Sequence, residues 1–263
     1  MNELDALLLG VVQGLTEFLP VSSSGHLVML QTLLGIREDG VIFEITVHVA
    51  TLVSVLIFYR ARIASLTTGV LRREPDAVRY LAKLVVATLP VVVVVLLAGD
   101  SVEAQFDSPS MAGFCLIITG LILWTTRATS PRATGGEPSF RAALLIGCAQ
   151  AFALLPGISR SGSTVAMALA LGVRPVQAAE FSFLMSVIAI TGAALRAAPD
   201  LALVSADSGL SYAIGGVAAG VSGVGAIWLF VRMLENRALH RYAYYTWGLG
   251  SLFLIWLTAT GQI

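Results

Sequence analysis

Six apolar runs, each long enough to cross a lipid bilayer, constrain the fold of this chain more than any other feature of its sequence. A membrane-spanning helix needs about 20 consecutive apolar residues. Only 12% of the 263 residues are charged and 57% are hydrophobic, whereas a soluble domain carries roughly 25% charged residues. The sequence therefore predicts an all-α integral membrane protein. The predicted spans are 41–60, 80–98, 111–127, 177–197, 210–232 and 242–260.

Two further apolar regions, 4–35 and 141–173, do not fit a single crossing. Each is interrupted near its middle by Pro, Ser and Gly, which leaves two pieces of about a dozen residues, enough for half a bilayer. A re-entrant hairpin, which enters the membrane and returns to the same side, is the simplest structure that fits. The backbone at its tip must then be buried in protein or face water.

The two broken regions resemble each other. Four positions of the first recur 137 residues later: Gly10 as Gly147, Gln13 as Gln150, Gly25 as Gly162, and Gly35 as Gly172. The chain is therefore predicted to form one membrane domain from two units, 1–130 and 141–263, each a re-entrant hairpin followed by three spanning helices. Because three is an odd number, the second unit must enter the membrane upside down, which makes an inverted-topology repeat.

The charges of the loops predict an orientation for these spans. Basic residues are concentrated in 60–83, 127–141 and 232–241, whereas the charged residues of 99–110 and 198–209 are all acidic. The positive-inside rule places the three basic loops in the cytoplasm. With this placement the six predicted spans alternate in direction without conflict. The first hairpin then enters the membrane from outside, and both termini lie outside.

Both hairpins carry polar residues where their second helical half is predicted to begin. A carboxylate such as Glu17 costs a few kcal/mol at membrane depth and is a functional candidate, and Gln13 shares its helix face. Helix N-termini bind phosphate well, and Arg160 offers it two parallel hydrogen bonds. With His26, these residues predict a phosphate site between the hairpins. The other candidates for binding phosphate are Ser22, Ser23, Ser24, Gly25, Ser159, Ser161, Gly162 and Thr164.

Other polar residues in the apolar segments have a structural interpretation. Serines in membrane helices often bond only the backbone or a neighbouring helix. His48 and His240 are interpreted as packing or interface residues. Glu44 and Glu180, each just inside a predicted span, are interpreted as residues that brace the hairpins.

The stretches QGLTEFLPVSSSGH (13–26) and LLPGISRSGST (154–164) closely resemble the two signature segments of the undecaprenyl-diphosphate phosphatase family, the bacitracin-resistance membrane proteins. The match extends to FE at 43–44 and EFSFL at 180–184. The resemblance implies that the chain hydrolyses undecaprenyl diphosphate to the monophosphate, which recycles the lipid carrier for cell-wall synthesis and confers bacitracin resistance. It also implies the inverted-repeat fold, a place in the bacterial cytoplasmic membrane, and a reacting head group at the outer surface.

The resemblance also implies roles for individual residues. Glu17, Ser23, His26 and Arg160 match residues regarded as essential in the family, which uses a divalent cation, Mg²⁺ or Ca²⁺. Gln13 stands where many members have a second glutamate. Glu17 is therefore the one protein carboxylate expected at the cation. The expected partners are the bilayer and a polyprenyl diphosphate lipid; the zero net charge argues against nucleic acid, and a homodimer stays open.

Three alternatives remain at this point. The attacking group is either Ser23, with His26 as base, or a water that His26 or Glu17 activates. Type-2 phosphatidic acid phosphatases share the SGH and SR pieces but need a second catalytic histidine soon after the arginine, and the next one here is His240. Inverted repeats with broken helices are also common in transporters, so a flippase of a phosphate-bearing lipid is the alternative function.

Overall fold

The computed structural model of the chain describes residues 1–35, 42–196 and 209–262. Within these ranges the regular structure is helical, apart from an isolated β-bridge between Gly135 and Val173. The α-helices are α1 (Glu3–Phe18), α2 (Ser23–Leu34), α3 (Ile42–Phe58), α4 (Arg60–Leu71), α5 (Pro75–Glu103), α6 (Pro109–Thr129), α7 (Phe140–Phe152), α8 (Arg160–Ala170), α9 (Pro175–Arg196), α10 (Gly209–Glu235) and α11 (Tyr242–Thr260). Short 3₁₀ turns lie at Ala104–Asp107, Ser130–Arg132 and Leu239–Arg241.

Four helices of the described part, α5, α6, α9 and α10, are long and apolar enough to cross a membrane. They correspond to four of the predicted spans. Residues 197–208, which include the end of the predicted span 177–197 and nearly all of the acidic loop 198–209, lie outside the described residues. The predicted span 41–60 is formed by α3, which is long enough only together with α4, and α4 is bent away from it by 79°. The predicted span 242–260 coincides with α11, which is not among the four. The chain is thus built to cross a membrane several times.

The two interrupted regions fold as helical hairpins, as their sequences predict. In the first, α1 packs against α2 across the loop 19–22, and in the second α7 packs against α8 across the loop 153–159. A serine caps the second helix of each. Ser22 Oγ accepts from the N–H of Gly25 at 3.2 Å, and Ser159 Oγ accepts from the N–H of Gly162 at 3.1 Å. These caps explain why both helices begin at corresponding positions of their hairpins.

Each hairpin packs against a long helix from the other half of the chain. The helix α1 lies along α10, and α7 lies along α5. Both contacts depend on a glycine. A Cβ at Gly10 would collide with the backbone oxygen of Gly215 on α10, and a Cβ at Gly147 would collide with that of Ala87 on α5. Small residues let membrane helices approach closely, and here they do so at corresponding positions of the two hairpins.

An aromatic cluster supports the end of α1. The ring of Phe18 contacts Phe183 of α9 edge to face at a centroid distance of 5.5 Å, and Phe183 contacts Phe230 of α10 at 5.4 Å. All three side chains are fully buried. Edge-to-face aromatic pairs contribute about 0.5–1.5 kcal/mol beyond the burial of their surface. The cluster therefore fixes the turn of α1 that carries Glu17.

A group of charged residues ties α4 and α5 to α9. Arg62 Nε donates to Glu180 Oε1 at 2.8 Å, and the hydroxyl of Tyr80 donates to the same oxygen at 3.3 Å. Glu137, between α6 and α7, contacts Arg62 at 3.2 Å and Lys83 at 3.5 Å. The side-chain contacts of Glu180 therefore run to α4 and α5, whereas its sequence interpretation expected contacts with the hairpins.

Candidate active site

The carboxylate of Glu17 is the centre of a polar cluster that both hairpins form. Gln13 Nε2 donates to Glu17 Oε2 at 2.9 Å, because the two residues lie one turn apart on α1. Ser23 Oγ donates to the same oxygen at 2.6 Å, since the loop 19–22 brings the start of α2 back beside α1. From the second hairpin, Arg160 Nη2 donates to Glu17 Oε1. Four predicted site residues therefore meet at one point.

The beginnings of α2 and α8 both present free backbone N–H groups. In the part of the chain that the structure describes, the N–H groups of Ser23, Ser24, Arg160 and Ser161 have no acceptor, whereas the next N–H of each helix is capped by serine. Such N–H groups, with the positive end of the helix dipole, bind anions. Both helix N-termini therefore offer donors for phosphate oxygens.

The tips of the two hairpins touch. The N–H of Gly157 donates to Ser24 Oγ at 3.4 Å, and a Cβ at Gly25 would come within 2.9 Å of Gly157 Cα. Gly157 itself has a φ of +94°, which favours glycine. Thr119 of α6 holds this loop in place, because its hydroxyl donates to the carbonyl of Gly157 at 2.7 Å and accepts from the N–H of Ser159 at 3.0 Å. Thr119 was not among the residues predicted from sequence.

The predicted phosphate-binding hydroxyls all have protein partners, and those of Thr164 and Ser161 join separate elements. Thr164 Oγ1 donates to the carbonyl of Arg160 at 2.8 Å and lies 2.6 Å from Ser182 Oγ on α9. Ser161 Oγ donates to the carbonyl of Leu19 at 3.3 Å, a further link between the hairpins. Both side chains are buried. In this structure these hydroxyls hold the site together, and the N–H groups without an acceptor are the donors left for a ligand.

The ring of His26 lies apart from the Glu17 cluster. Its Nδ1 is 2.7 Å from the carbonyl oxygen of Ser22, and its Nε2 is 2.8 Å from the hydroxyl of Tyr245 on α11. Among the described residues it has no hydrogen bond to Glu17, Ser23 or Arg160. The structure therefore places the hydroxyl of Ser23 on Glu17 and not on His26. Tyr245, 219 positions from His26, was missed because no local pattern in the sequence links them.

The histidine that contacts Glu17 is His48, on α3. His48 Nε2 lies 3.5 Å from Glu17 Oε2, and His48 Nδ1 lies 2.7 Å from the carbonyl oxygen of Glu44. Both ring nitrogens thus face acceptor oxygens. The sequence interpretation of His48 as a packing residue misses this contact. Its one-turn spacing from Glu44 on α3 is the only local signal that could have indicated a polar face.

Two buried polar atoms at the cluster have no partner in the described chain, namely Arg160 Nη1 and Gln13 Oε1. A buried polar group without a hydrogen bond costs about 1–3 kcal/mol. Arg160 Nη1 is a donor suited to a phosphate oxygen, and Gln13 Oε1 is an acceptor suited to a cation or to water. The cluster is therefore incomplete in a way that a phosphate with its cation would complete.

The donor atoms of this cluster fit a hard divalent cation that the substrate helps to bind. No group of three or more His, Cys, Asp or Glu side chains that could hold a metal is found in the described ranges. Mg²⁺ commonly binds one or two carboxylates together with substrate phosphates and water. Glu17 and the unpartnered oxygen of Gln13 supply oxygens of the required kind.

The fold and the site together define a class of protein: a multi-pass helical membrane protein with a buried polar cluster where two hairpins meet. Its family is shown by comparison. The family model described as bacitracin resistance protein BacA matches residues 6–252. The chain belongs to this family, which confirms the membership predicted from the two motifs.

Proteins similar over their whole length carry one name. The undecaprenyl-diphosphatase of Carboxydothermus hydrogenoformans is 40% identical, with 100% of each chain covered. That of Rubrobacter xylanophilus is 41% identical over 95% of this chain and 96% of its own. That of Syntrophotalea carbinolica is 38% identical over 96% and 98%. The first of these alignments covers the whole chain and therefore includes both hairpins.

Proposed function

We propose that this protein is an enzyme that hydrolyses undecaprenyl diphosphate to undecaprenyl phosphate and phosphate. Family membership and the name shared by its full-length relatives support this reaction. Recycling of the lipid carrier for cell-wall synthesis and bacitracin resistance follow from the same activity. The transport alternative is not favoured, because those relatives are phosphatases.

The single observation that carries the site assignment is the contact of Arg160 with Glu17 between the two hairpins. This contact brings a guanidinium and a carboxylate together beside the N-termini of α2 and α8. Phosphoryl transfer depends mostly on positioning and on neutralising charge at the phosphate oxygens. Arg160 Nη1 and the free N–H groups of α2 and α8 are the donors that would hold the diphosphate.

The proposed chemistry needs a proton acceptor, which is Glu17 in the serine route and either Glu17 or His26 in the water route. In the serine route, Ser23 Oγ attacks the terminal phosphorus while its proton passes to Glu17, to which it already donates at 2.6 Å. The bridging P–O bond breaks, undecaprenyl phosphate leaves, and water then releases phosphate from the serine. In the water route, Glu17 or Nε2 of His26 takes a proton from water, which attacks the same phosphorus directly. Both routes give the same products.

A divalent cation, Mg²⁺ or Ca²⁺, is part of the proposal. When bound, it would neutralise charge on the diphosphate oxygens and assist departure of the lipid monophosphate. Glu17 would hold it, with Gln13 Oε1 as a second oxygen. Because Glu17 also pairs with Arg160, Arg160 is expected to turn toward the phosphate when substrate binds.

The proposed topology is an inverted repeat of units 1–130 and 141–263 with six spans and two re-entrant hairpins. Reciprocal packing supports it, since α1 lies along α10 while α7 lies along α5. The loop charges support basic loops in the cytoplasm, both termini outside, and an active site facing outward in the bacterial cytoplasmic membrane.

Single cysteines test this orientation. In a Cys115→Ala/Cys148→Ala background, Ser101→Cys places one exposed thiol at the end of α5, in the acidic segment 99–110. Ser65→Cys places one on α4, in the basic segment 60–83. A membrane-impermeant maleimide added to intact cells should label Ser101→Cys at once and Ser65→Cys only after permeabilisation. The reverse pattern would overturn the orientation.

The test of the reaction is phosphate release by the purified protein, with Glu17→Gln as the inactive variant. Undecaprenyl diphosphate should release phosphate and undecaprenyl monophosphate should not, because only the diphosphate offers an anhydride bond. Movement of labelled lipid across proteoliposomes without phosphate release would overturn the enzyme in favour of a transporter.

A further inference from the structure

Both nitrogens of the His26 imidazole are engaged, and their partners define the form of the ring. A backbone carbonyl only accepts hydrogen bonds, so His26 Nδ1, 2.7 Å from the oxygen of Ser22, carries a hydrogen. In the neutral ring Nε2 is then the basic nitrogen. The hydroxyl of Tyr245, 2.8 Å away, donates to it.

Tyr245 also fixes the plane of the ring. The two rings stack with an interplanar angle of 7° and a centroid distance of 5.8 Å. His26 is 5% exposed, whereas Tyr245 is 48% exposed and approaches from α11, outside both hairpins. The orientation of His26 is therefore set partly by an element that contributes nothing else to the predicted site.

A tyrosine hydroxyl can keep this contact in either protonation state of histidine. It donates to Nε2 when the ring is neutral, and it accepts from the Nε2–H when the ring is protonated. A phenylalanine would preserve the stacked ring and remove only the hydroxyl. The neighbouring Tyr244 provides a matched control, because its ring packs on Trp124 and Trp247 and does not contact His26.

We propose that Tyr245 is a positioning residue for the hydrolysis, which holds Nε2 of His26 as the basic nitrogen and stays bonded to it when the ring takes up a proton. The proposal rests on the proposed function and adds to it a residue of α11. Because Tyr245 acts through His26, its hydroxyl matters for turnover and not for binding of the lipid.

The test compares Tyr245→Phe with Tyr244→Phe in phosphate release from undecaprenyl diphosphate. Tyr245→Phe should lower kcat about tenfold and change KM by less than about twofold, whereas Tyr244→Phe should match wild type. In a His26→Ala background Tyr245→Phe should have no further effect. As a second readout, Tyr245→Phe should move the acidic limb of the pH–rate profile, whereas a structural loss would lower the rate equally at every pH.

An unchanged kcat in the Tyr245→Phe protein would overturn the inference. It would also be overturned if Tyr245→Phe lowered kcat by the same factor with and without His26 and left the pH–rate profile unmoved. These results require an active wild type, so they leave the proposed function standing. A wild-type protein that releases no phosphate would overturn the proposed function and this inference with it.

Discussion

Arg160 Nη2 donates to Glu17 Oε1, although the two residues lie 143 positions apart and belong to different hairpins. Both side chains are largely buried, at 16% and 6% exposure. Neither hairpin contains the site by itself, since the first carries the carboxylate and the second carries the guanidinium. The contact therefore links assembly of the two halves to formation of the site.

Stability should depend on this pair. Arg160→Ala or Glu17→Leu leaves one charge buried without its partner, which costs about 3–5 kcal/mol. Either variant should lower the midpoint of thermal unfolding in detergent. The double variant Glu17→Leu/Arg160→Met should regain part of the loss and remain inactive. The control is Arg141→Ala, at an exposed position of α7. Thermal midpoints of the Arg160→Ala and Glu17→Leu proteins equal to that of wild type would contradict this expectation.

Substitution of Ser23 separates the two routes of attack. If Ser23 Oγ is the nucleophile, Ser23→Ala should lower kcat by about 10³-fold or more, because water must replace it. If water attacks, the loss should be about tenfold, since only a hydrogen bond to Glu17 is removed. Ser24→Ala, which removes contacts of 3.4 Å with the N–H of Gly157 and 3.2 Å with Ser22 Oγ but none with Glu17, is the matched control. A Ser23→Ala protein with near-normal turnover eliminates the serine route.

Cation dependence should respond to Gln13. Gln13→Glu adds a second carboxylate beside Glu17 and should strengthen Mg²⁺ binding by ~1.4 kcal/mol. The Mg²⁺ concentration for half-maximal activity should therefore fall about tenfold. Gln13→Leu removes the unpartnered oxygen and should raise that concentration. Titration of activity with Mg²⁺ after treatment with EDTA measures both. Identical titration curves for the three proteins would exclude Gln13 from the cation site.

The tip of the second hairpin should not tolerate a side chain at Gly157. An alanine there meets a φ of +94° and collides with the backbone oxygen of Ala112 on α6. Backbone strain of this kind costs about 1–3 kcal/mol, and overpacking adds a similar amount. The thermal midpoint should fall clearly. Gly192→Ala, in a helical position with no atom within 4 Å, should be neutral or slightly stabilising; equal midpoints for both variants would contradict this account.

Much of the fold could be predicted because the bilayer restricts it. Apolar length predicted the helices α5, α6, α9 and α10, and the Pro, Ser and Gly breaks predicted two hairpins. The bend of 79° between α3 and α4 was not predicted. It falls at Tyr59, where no Pro or Gly marks a break, and the contacts of Arg62 with Glu137 and Glu180 that hold α4 are distant in sequence.

The sequence identified the members of the polar cluster that are close along the chain and missed the contacts that come from distant helices. Gln13, Glu17 and Ser23 lie on one short segment, and its resemblance to the second hairpin pointed to Arg160. The remaining contacts come from other helices. His48, Thr119 and Tyr245 reach the site from α3, α6 and α11, and only the folded structure brings them there.

The central claim is that both hairpins form one cation-dependent hydrolytic site. Its most direct test is phosphate release from undecaprenyl diphosphate by purified protein with Mg²⁺, with EDTA, and with Arg160→Ala, His26→Ala and Arg141→Ala variants. We expect turnover that requires the cation, is lost in Arg160→Ala, falls about 10²-fold or more in His26→Ala and is unchanged in Arg141→Ala. Full turnover by a folded Arg160→Ala protein, or none by a monodisperse wild type with any divalent cation, would contradict the claim.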